Sequence, residues 1–261
     1  MNAVIPILGF IFGAVIGSFL NVCIHRLPRE ESIVSPSSRC PVCGTPIRSH
    51  DNIPLLSYVL LRGKCRTCKA SIAWRYPLVE FLSGLFSVLL LLRYGISSLY
   101  FIYFALFASL IVISFIDLAH RIIPDEISLP GIVVGVVVSW LQPQLALKES
   151  LIGVLLGGGS LYLIATMYHL VTKREGMGGG DIKLLAMIGA FIGWKGVLFT
   201  ILCSSFIGAL VGSIVILATS GTDGKYAVPF GPFLSLGGIA YVFVGDMSIT
   251  WYIGFLRGIA A

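Results

Sequence analysis

Eight apolar runs, half of them long enough to cross a bilayer outright, constrain what this chain is able to fold into. Crossing the hydrocarbon core takes about 20 mainly apolar residues, within a range of about 17 to 25. The runs extend over Ile5 to Val22, Pro77 to Leu92, Leu99 to Ile116, Ile127 to Leu141, Leu151 to Val171, Ile182 to Gly193, Val197 to Ala218 and Phe230 to Val244. The sixth is short, and Gly193-Trp194-Lys195-Gly196 reads as a tight turn into the seventh. Only 11% of the 261 residues are charged, against about 25% in a soluble domain. Too few polar side chains remain to cover a water-exposed surface, and disorder or collagen-like repetition is excluded by the same apolar composition. The expected class is an all-α polytopic membrane protein of about eight transmembrane helices.

Charge gives these spans a direction. No basic residue precedes the first run, whereas His25, Arg26 and Arg29 follow it. A secretory signal has the opposite flanks, so this run reads as a retained helix with the N-terminus outside. Eight spans then place residues 22–76, 117–126, 172–183 and 219–229 on the cytoplasmic side, and these segments hold 14 of the 18 Lys and Arg. The bias of basic residues towards the cytoplasm supports that orientation. The net charge of +6 is therefore a topology signal, and no nucleic-acid partner is expected. The chain divides into a first transmembrane helix (1–22), a cytoplasmic loop (23–76) and a membrane bundle (77–261).

The loop carries Cys40-Pro41-Val42-Cys43 and, after 21 residues, Cys65-Arg66-Thr67-Cys68. Two such knuckles about 15 to 20 residues apart make a zinc-ribbon pattern, and this spacing is slightly longer. Four thiolates close a tetrahedral shell with no position left for water, which fits a structural metal. Zinc would also supply folding energy that so small a loop lacks. The alternative, two disulfides, suits a cytoplasmic loop poorly because thiols stay reduced there. His25 and His50 are further possible ligands, but four thiolates complete the set. Cys23 and Cys203 lie in or beside apolar spans and are read as packing residues.

Several of the twelve acidic residues sit where burial is costly, and an ionisable group against a span is a functional hypothesis by default. Asp117 ends the third run and Asp181 opens the sixth, after Gly178-Gly179-Gly180. Two converging carboxylates share a proton. The ionised one takes a proton from an attacking water, and the protonated one donates to the developing oxyanion and the leaving amine. Two structural readings stand beside this one. Asp117 could pair with Arg121, and Asp181 could cap a helix beside Lys183. Asp125, after Pro124, reads as a helix-start residue, and Gly157-Gly158-Gly159 as close helix packing. A proton-coupled transporter or a membrane scaffold with a zinc loop would use the same groups differently.

Together the motifs resemble those of the type IV prepilin peptidases. The resemblance runs through Gly17-Ser18-Phe19-Leu20-Asn21-Val22 and Arg26-Leu27-Pro28, the two cysteine knuckles, Asp51-Asn52-Ile53-Pro54, and Leu61-Arg62-Gly63-Lys64. It continues in Arg75-Tyr76-Pro77-Leu78-Val79-Glu80, Ile116-Asp117, Ile123-Pro124-Asp125, Gly178-Gly179-Gly180-Asp181-Ile182-Lys183 and Pro229-Phe230-Gly231-Pro232. It implies that Asp117 and Asp181 are the catalytic pair of a Gly-x-Gly-Asp aspartic peptidase in the bacterial inner membrane. Such an enzyme removes the basic leader of prepilins and pseudopilins after a glycine at the cytoplasmic face. It then N-methylates the new N-terminal residue with S-adenosylmethionine. The cysteine loop goes with the bifunctional form, and the resemblance ties Gly63 and Lys64 to methyl transfer. Glu80 is read as structural, and Glu126 or Glu175 as partners for the basic leader.

Overall fold

A computed structural model of the chain describes residues 4–141, 146–173, 178–218 and 229–259. The chain forms two compact units, Met1–Ile116 and Asp117–Ala261. Eight helices are described: α1 (Val4–Arg26), α2 (Leu56–Leu60), α3 (Arg75–Tyr94), α4 (Ser98–His120), α5 (Asp125–Leu141), α6 (Leu147–Thr172), α7 (Gly179–Ala218) and α8 (Gly231–Ile259). Most of α4 lies in the first unit, and its last turn, from Asp117, lies in the second.

In the first unit α1 packs along α3. Small residues allow the contact: a Cβ on Gly17 would lie 2.7 Å from the Glu80 Cα. A buried polar link runs across it, where the Ser87 hydroxyl donates to the Gly9 carbonyl at 2.7 Å and lies 2.7 Å from the Tyr100 hydroxyl. Phe104 and Phe107 of α4 meet Phe12 and Phe86, with ring centroids 5.5 and 5.3 Å apart. Between α1 and α3 the chain forms 3-10 turns at Leu27–Arg29 and Ser49–Asn52, the short α2, and two isolated β-bridges that close the cysteine knuckles.

In the second unit α7 is the hub, packed against α5, α6 and α8. Its contact with α6 is a backbone approach. Cβ atoms on Gly153 and Gly189 would each collide with the other's carbonyl, and one on Gly157 would meet the Leu185 carbonyl. The Ser150 hydroxyl donates to the Ala190 carbonyl at 2.7 Å across the same seam. Close packing and such hydrogen bonds hold helices together where lipid removes the hydrophobic drive. Gly157 thus serves helix packing as expected, whereas Gly159 faces open space.

Among the described residues, five helical stretches are long and apolar enough to cross a membrane: Val4–Arg29, Arg75–Tyr94, Ser98–His120, Leu147–Thr172 and Gly179–Val215. The eight-span count differs from this for three reasons. Helix α5 reaches 17 residues. The apolar described part of α8 is short, Gly231–Gly245. The sixth and seventh runs are two helical segments that meet at a kink at Gly193 (φ 72°, ψ 179°) and are counted together as α7, in keeping with the expected turn at 193–196. The chain folds back there: a Cβ on Gly189 would lie 2.8 Å from Val197 Cγ2, eight residues on, whereas eight residues of straight helix rise about 12 Å.

Candidate active and metal sites

The position of Asp117 follows from how α4 ends. Arg121 takes the left-handed conformation (φ 57°) and its N–H closes on the Asp117 carbonyl at 2.8 Å, stopping the helix. Pro124 then opens the next turn, its carbonyl accepting the Ser128 N–H at 3.1 Å at the start of α5. Asp117 is left in the final turn of α4 at 6% exposure, with its side chain folded into the second unit. There its Oδ2 accepts the backbone N–H of Gly231, the first residue of α8, at 3.0 Å. A Cβ at position 231 would lie 2.6 Å from that same oxygen. Only a glycine presents its amide so directly to the carboxylate.

Asp181 stands in the first turn of α7, half-buried, its N–H bonded to the Gly178 carbonyl at 3.2 Å. Ile123 lies between the two sites, against Gly180 on one side and Gly231 on the other. Gly180 seats this helix end against the α4–α5 connection, since a Cβ there would lie 2.8 Å from the Ile123 Cβ. Lys183 binds both carboxylate oxygens of Asp125 at 2.7 Å. Asp125 therefore combines its helix-start position with a tie between α5 and α7. Among the described residues the hydrogen-bond partner of Asp117 is Gly231 rather than Arg121, and the acceptor for Lys183 is Asp125 rather than Asp181. Glu126 is exposed, and Glu175 falls outside the described residues.

The four loop cysteines converge. Their Sγ atoms all lie within 4.8 Å of one another, and Cys40 and Cys68 are 3.8 Å apart. A tetrahedron with Zn–S bonds of about 2.3 Å has edges of about 3.8 Å, whereas a disulfide needs about 2.05 Å. All four cysteines are free, and neither His25 nor His50 joins the cluster. The two knuckles repeat one local design. Cys40 N–H bonds to the Thr45 carbonyl at 2.9 Å and Cys65 N–H to the Ala70 carbonyl at 2.8 Å, with Gly44 (φ 70°) and Lys69 (φ 60°) in the matching left-handed positions. Hydrogen bonding to Thr45, first through its hydroxyl and then its backbone, pulls the Cys43 thiol down to about 6. Backbone N–H groups of Cys68 and Thr67 draw the Cys65 thiol down as well. Four sulfurs at these separations make a donor set for a soft divalent cation.

Gly63 and Lys64 fall at the entrance to the second knuckle. Gly63 (φ 66°) lies beneath Tyr58, whose hydroxyl would be 3.1 Å from a Cβ there, and its N–H bonds to the Tyr58 carbonyl at 2.9 Å. Lys64 is exposed and bridges to Ser71. Arg66 clasps Asp51 with its Nε at 2.8 Å and its Nη2 at 2.6 Å, binding the second knuckle to the preceding 3-10 turn. That pairing holds the Asp51 carboxyl below its ordinary range, the hydrogen bond from Arg66 being the main cause. Glu80 accepts the Leu55 N–H at 2.8 Å and so ties the loop to α3, in keeping with a structural role. Sequence reasoning missed the parts played by Gly231, Thr45 and the Asp51–Arg66 pair. Pro229-Phe230-Gly231-Pro232 and Asp51-Asn52-Ile53-Pro54 carried a visible signal, as motifs without a task, and Thr45 carried none.

Two family profiles cover most of the chain. The bacterial peptidase A24 N-terminal domain matches residues 11–94, and the type IV leader peptidase family matches residues 104–213. Proteins named prepilin leader peptidase/N-methyltransferase are similar throughout. The one from Stutzerimonas stutzeri is 38% identical over 95% of this chain and 93% of its own length. That from Pseudomonas putida is 38% identical over 92% and 90%, and that from Aeromonas hydrophila 37% over 94% and 92%. No solved structure matches. On this similarity along nearly its whole length, the chain belongs to the type IV leader peptidase family, in the form that carries the bacterial A24 N-terminal domain.

Proposed function

We propose that the chain is a prepilin leader peptidase and N-methyltransferase of the bacterial inner membrane, with Asp117 and Asp181 as its catalytic aspartates and both reactions on the cytoplasmic side. The observation that carries the reading is the meeting of two helix ends in one unit. Asp117 closes α4, Asp181 opens α7, and Ile123 packs against both Gly180, beside Asp181, and Gly231, which holds Asp117. One carboxylate accepts a proton from the water that attacks the scissile carbonyl while its partner donates its own to the carbonyl oxygen. As the diol collapses, the partner takes that proton back and the proton taken from water passes to the departing amine. Gly231 holds Asp117 Oδ2, which fixes the orientation of that carboxylate through the cycle. Substrates are prepilins and pseudopilins, whose apolar helix brings the scissile bond to the membrane face beside such a pair.

The four thiolates of Cys40, Cys43, Cys65 and Cys68 hold a structural zinc ion, which closes the loop without an open coordination position. S-adenosylmethionine supplies the methyl group for the second reaction. Gly63 and Lys64 serve that reaction by shaping the second knuckle and the α2 segment stacked on it. The test of the first reaction is leader removal from a precursor pilin by membranes carrying Asp117→Asn or Asp181→Asn. Each substitution is expected to lower cleavage by at least about 100-fold. Unimpaired cleavage by either variant removes that aspartate from the site.

A further inference from the structure

The last residue of α1 is a buried cation without a counter-ion. Arg26 is 8% exposed, and its guanidinium donates only to backbone carbonyls, Nη1 to Ser32 at 2.8 Å and Nη2 to Pro36 at 2.6 Å. Among the described residues no carboxylate comes within ion-pair distance of it. Buried charges are ordinarily paired, because desolvation without a partner is expensive. A guanidinium has five N–H donors, and these two bonds leave most of them unused. The side chain forms part of the wall of a cleft of about 310 Å³, with Ser18, Phe19, Val22, Asn52 and Pro54. That volume is at the lower end of small-molecule sites, about 300 to 1,000 Å³. One face of α1 lines the cleft with Ser18, Phe19 and Val22, and the loop contributes both apolar residues and the polar Ser37, Ser38 and Asn52. Its far wall is set by the segment that Glu80 pins through Leu55, a residue held at φ 60°.

We propose that this cleft binds the amino-acid end of the methyl donor, with Arg26 as counter-ion to its carboxylate. The proposal rests on the methyltransferase reading above and gives that reaction a place, between the end of α1 and the loop. It also gives Gly63 a purpose. Tyr58, stacked on Gly63, belongs to α2, which follows directly on the Asn52–Pro54 wall, so the knuckle sets how that wall is presented. A second source of the same oxyanion chemistry is the phosphate of an anionic lipid, since α1 is apolar enough to span the membrane and Arg26 lies at its end.

The experiment compares two probes on the full chain in nanodiscs of zwitterionic lipid. S-adenosylhomocysteine keeps the carboxylate, and 5′-methylthioadenosine lacks it. Loss of a charge-assisted contact corresponds to about 10- to 100-fold in affinity. Arg26→Gln is expected to weaken S-adenosylhomocysteine by that factor and to leave 5′-methylthioadenosine unchanged. Asn52→Asp, which places a negative charge on the exposed rim, is expected to discriminate in the same direction and keeps the test decisive if Arg26→Gln does not fold. Equal weakening of both probes would reduce Arg26 to a loop staple and overturn the proposal. Unchanged S-adenosylhomocysteine affinity with loss of co-purifying phosphatidylglycerol would assign the oxyanion to lipid instead. A wild-type chain that binds neither probe and methylates no pre-cleaved peptide would overturn the methyltransferase reading itself, whereas one that methylates but ignores Arg26 would overturn only the site.

Discussion

The two units keep their polar groups in order by different means. In the first, the loop between α1 and α3 has little core of its own. Val34, Val42, Val59, Leu60 and Trp74 are all at least 69% exposed, and what gathers the segment is four sulfurs, one bidentate Arg66–Asp51 pair and one carboxylate on a backbone amide. In the second, helices approach through glycine and serine, and carboxylates stand at helix ends, one of them on the amide that starts α8. The first arrangement gathers a loop around four sulfurs, and the second is built from backbone contact. Damage to a thiolate should therefore spread through a whole loop, whereas damage to a helix contact should stay local to the aspartates.

The largest separation between the units is expected from Cys40→Ser. Metal binding and folding are one equilibrium in such a loop, so the variant should lose nearly all bound zinc and all methylation of a pre-cleaved pilin peptide. Full metal content by elemental analysis would break the comparison at its first term. Gly231→Ala should do the converse. Its Cβ would fall 2.6 Å from Asp117 Oδ2, so leader cleavage should drop about 10- to 100-fold, as for a displaced charged hydrogen bond, with zinc and methylation retained. Gly159→Ala, on the open face of α6, is the matched control and should change neither activity.

The smallest effect is a pH dependence in the first unit. Arg66 holds Asp51 below its ordinary carboxylate range. A group depressed by folding contributes stability that is present above its unfolded value, about 3.9, and lost as pH falls through the folded one. Asp51→Asn should thus be slightly less thermostable than the wild type at neutral pH, with the difference closing in acid. A constant difference across that range would show that the pair contributes packing rather than charge.

How much of this was legible in the sequence follows the same division. The cysteine knuckles are local patterns whose spacing states their chemistry, and the cluster forms as the spacing implies. The two aspartates were visible because charge is so scarce beside apolar runs. Gly231 was not, since its bond to Asp117 joins residues 114 apart in the chain, and no periodicity reports a contact of that length. The break at Gly193 was read as a turn because two glycines flank Trp194 and Lys195. The kink at Gly193 agrees with that reading, and Gly189 comes against Val197 across it. Arg26 was legible as a motif residue, but its lack of a counter-ion emerges only when burial and the positions of the acidic residues are known together.

The division of labour between the two units is tested most directly by one preparation of the Asp117→Asn/Asp181→Asn double variant, assayed with both a precursor pilin and a pre-cleaved pilin peptide. The account predicts no detectable leader cleavage, with methylation of the pre-cleaved peptide and zinc content at wild-type levels. Persisting cleavage, or loss of methylation with zinc intact, would contradict it.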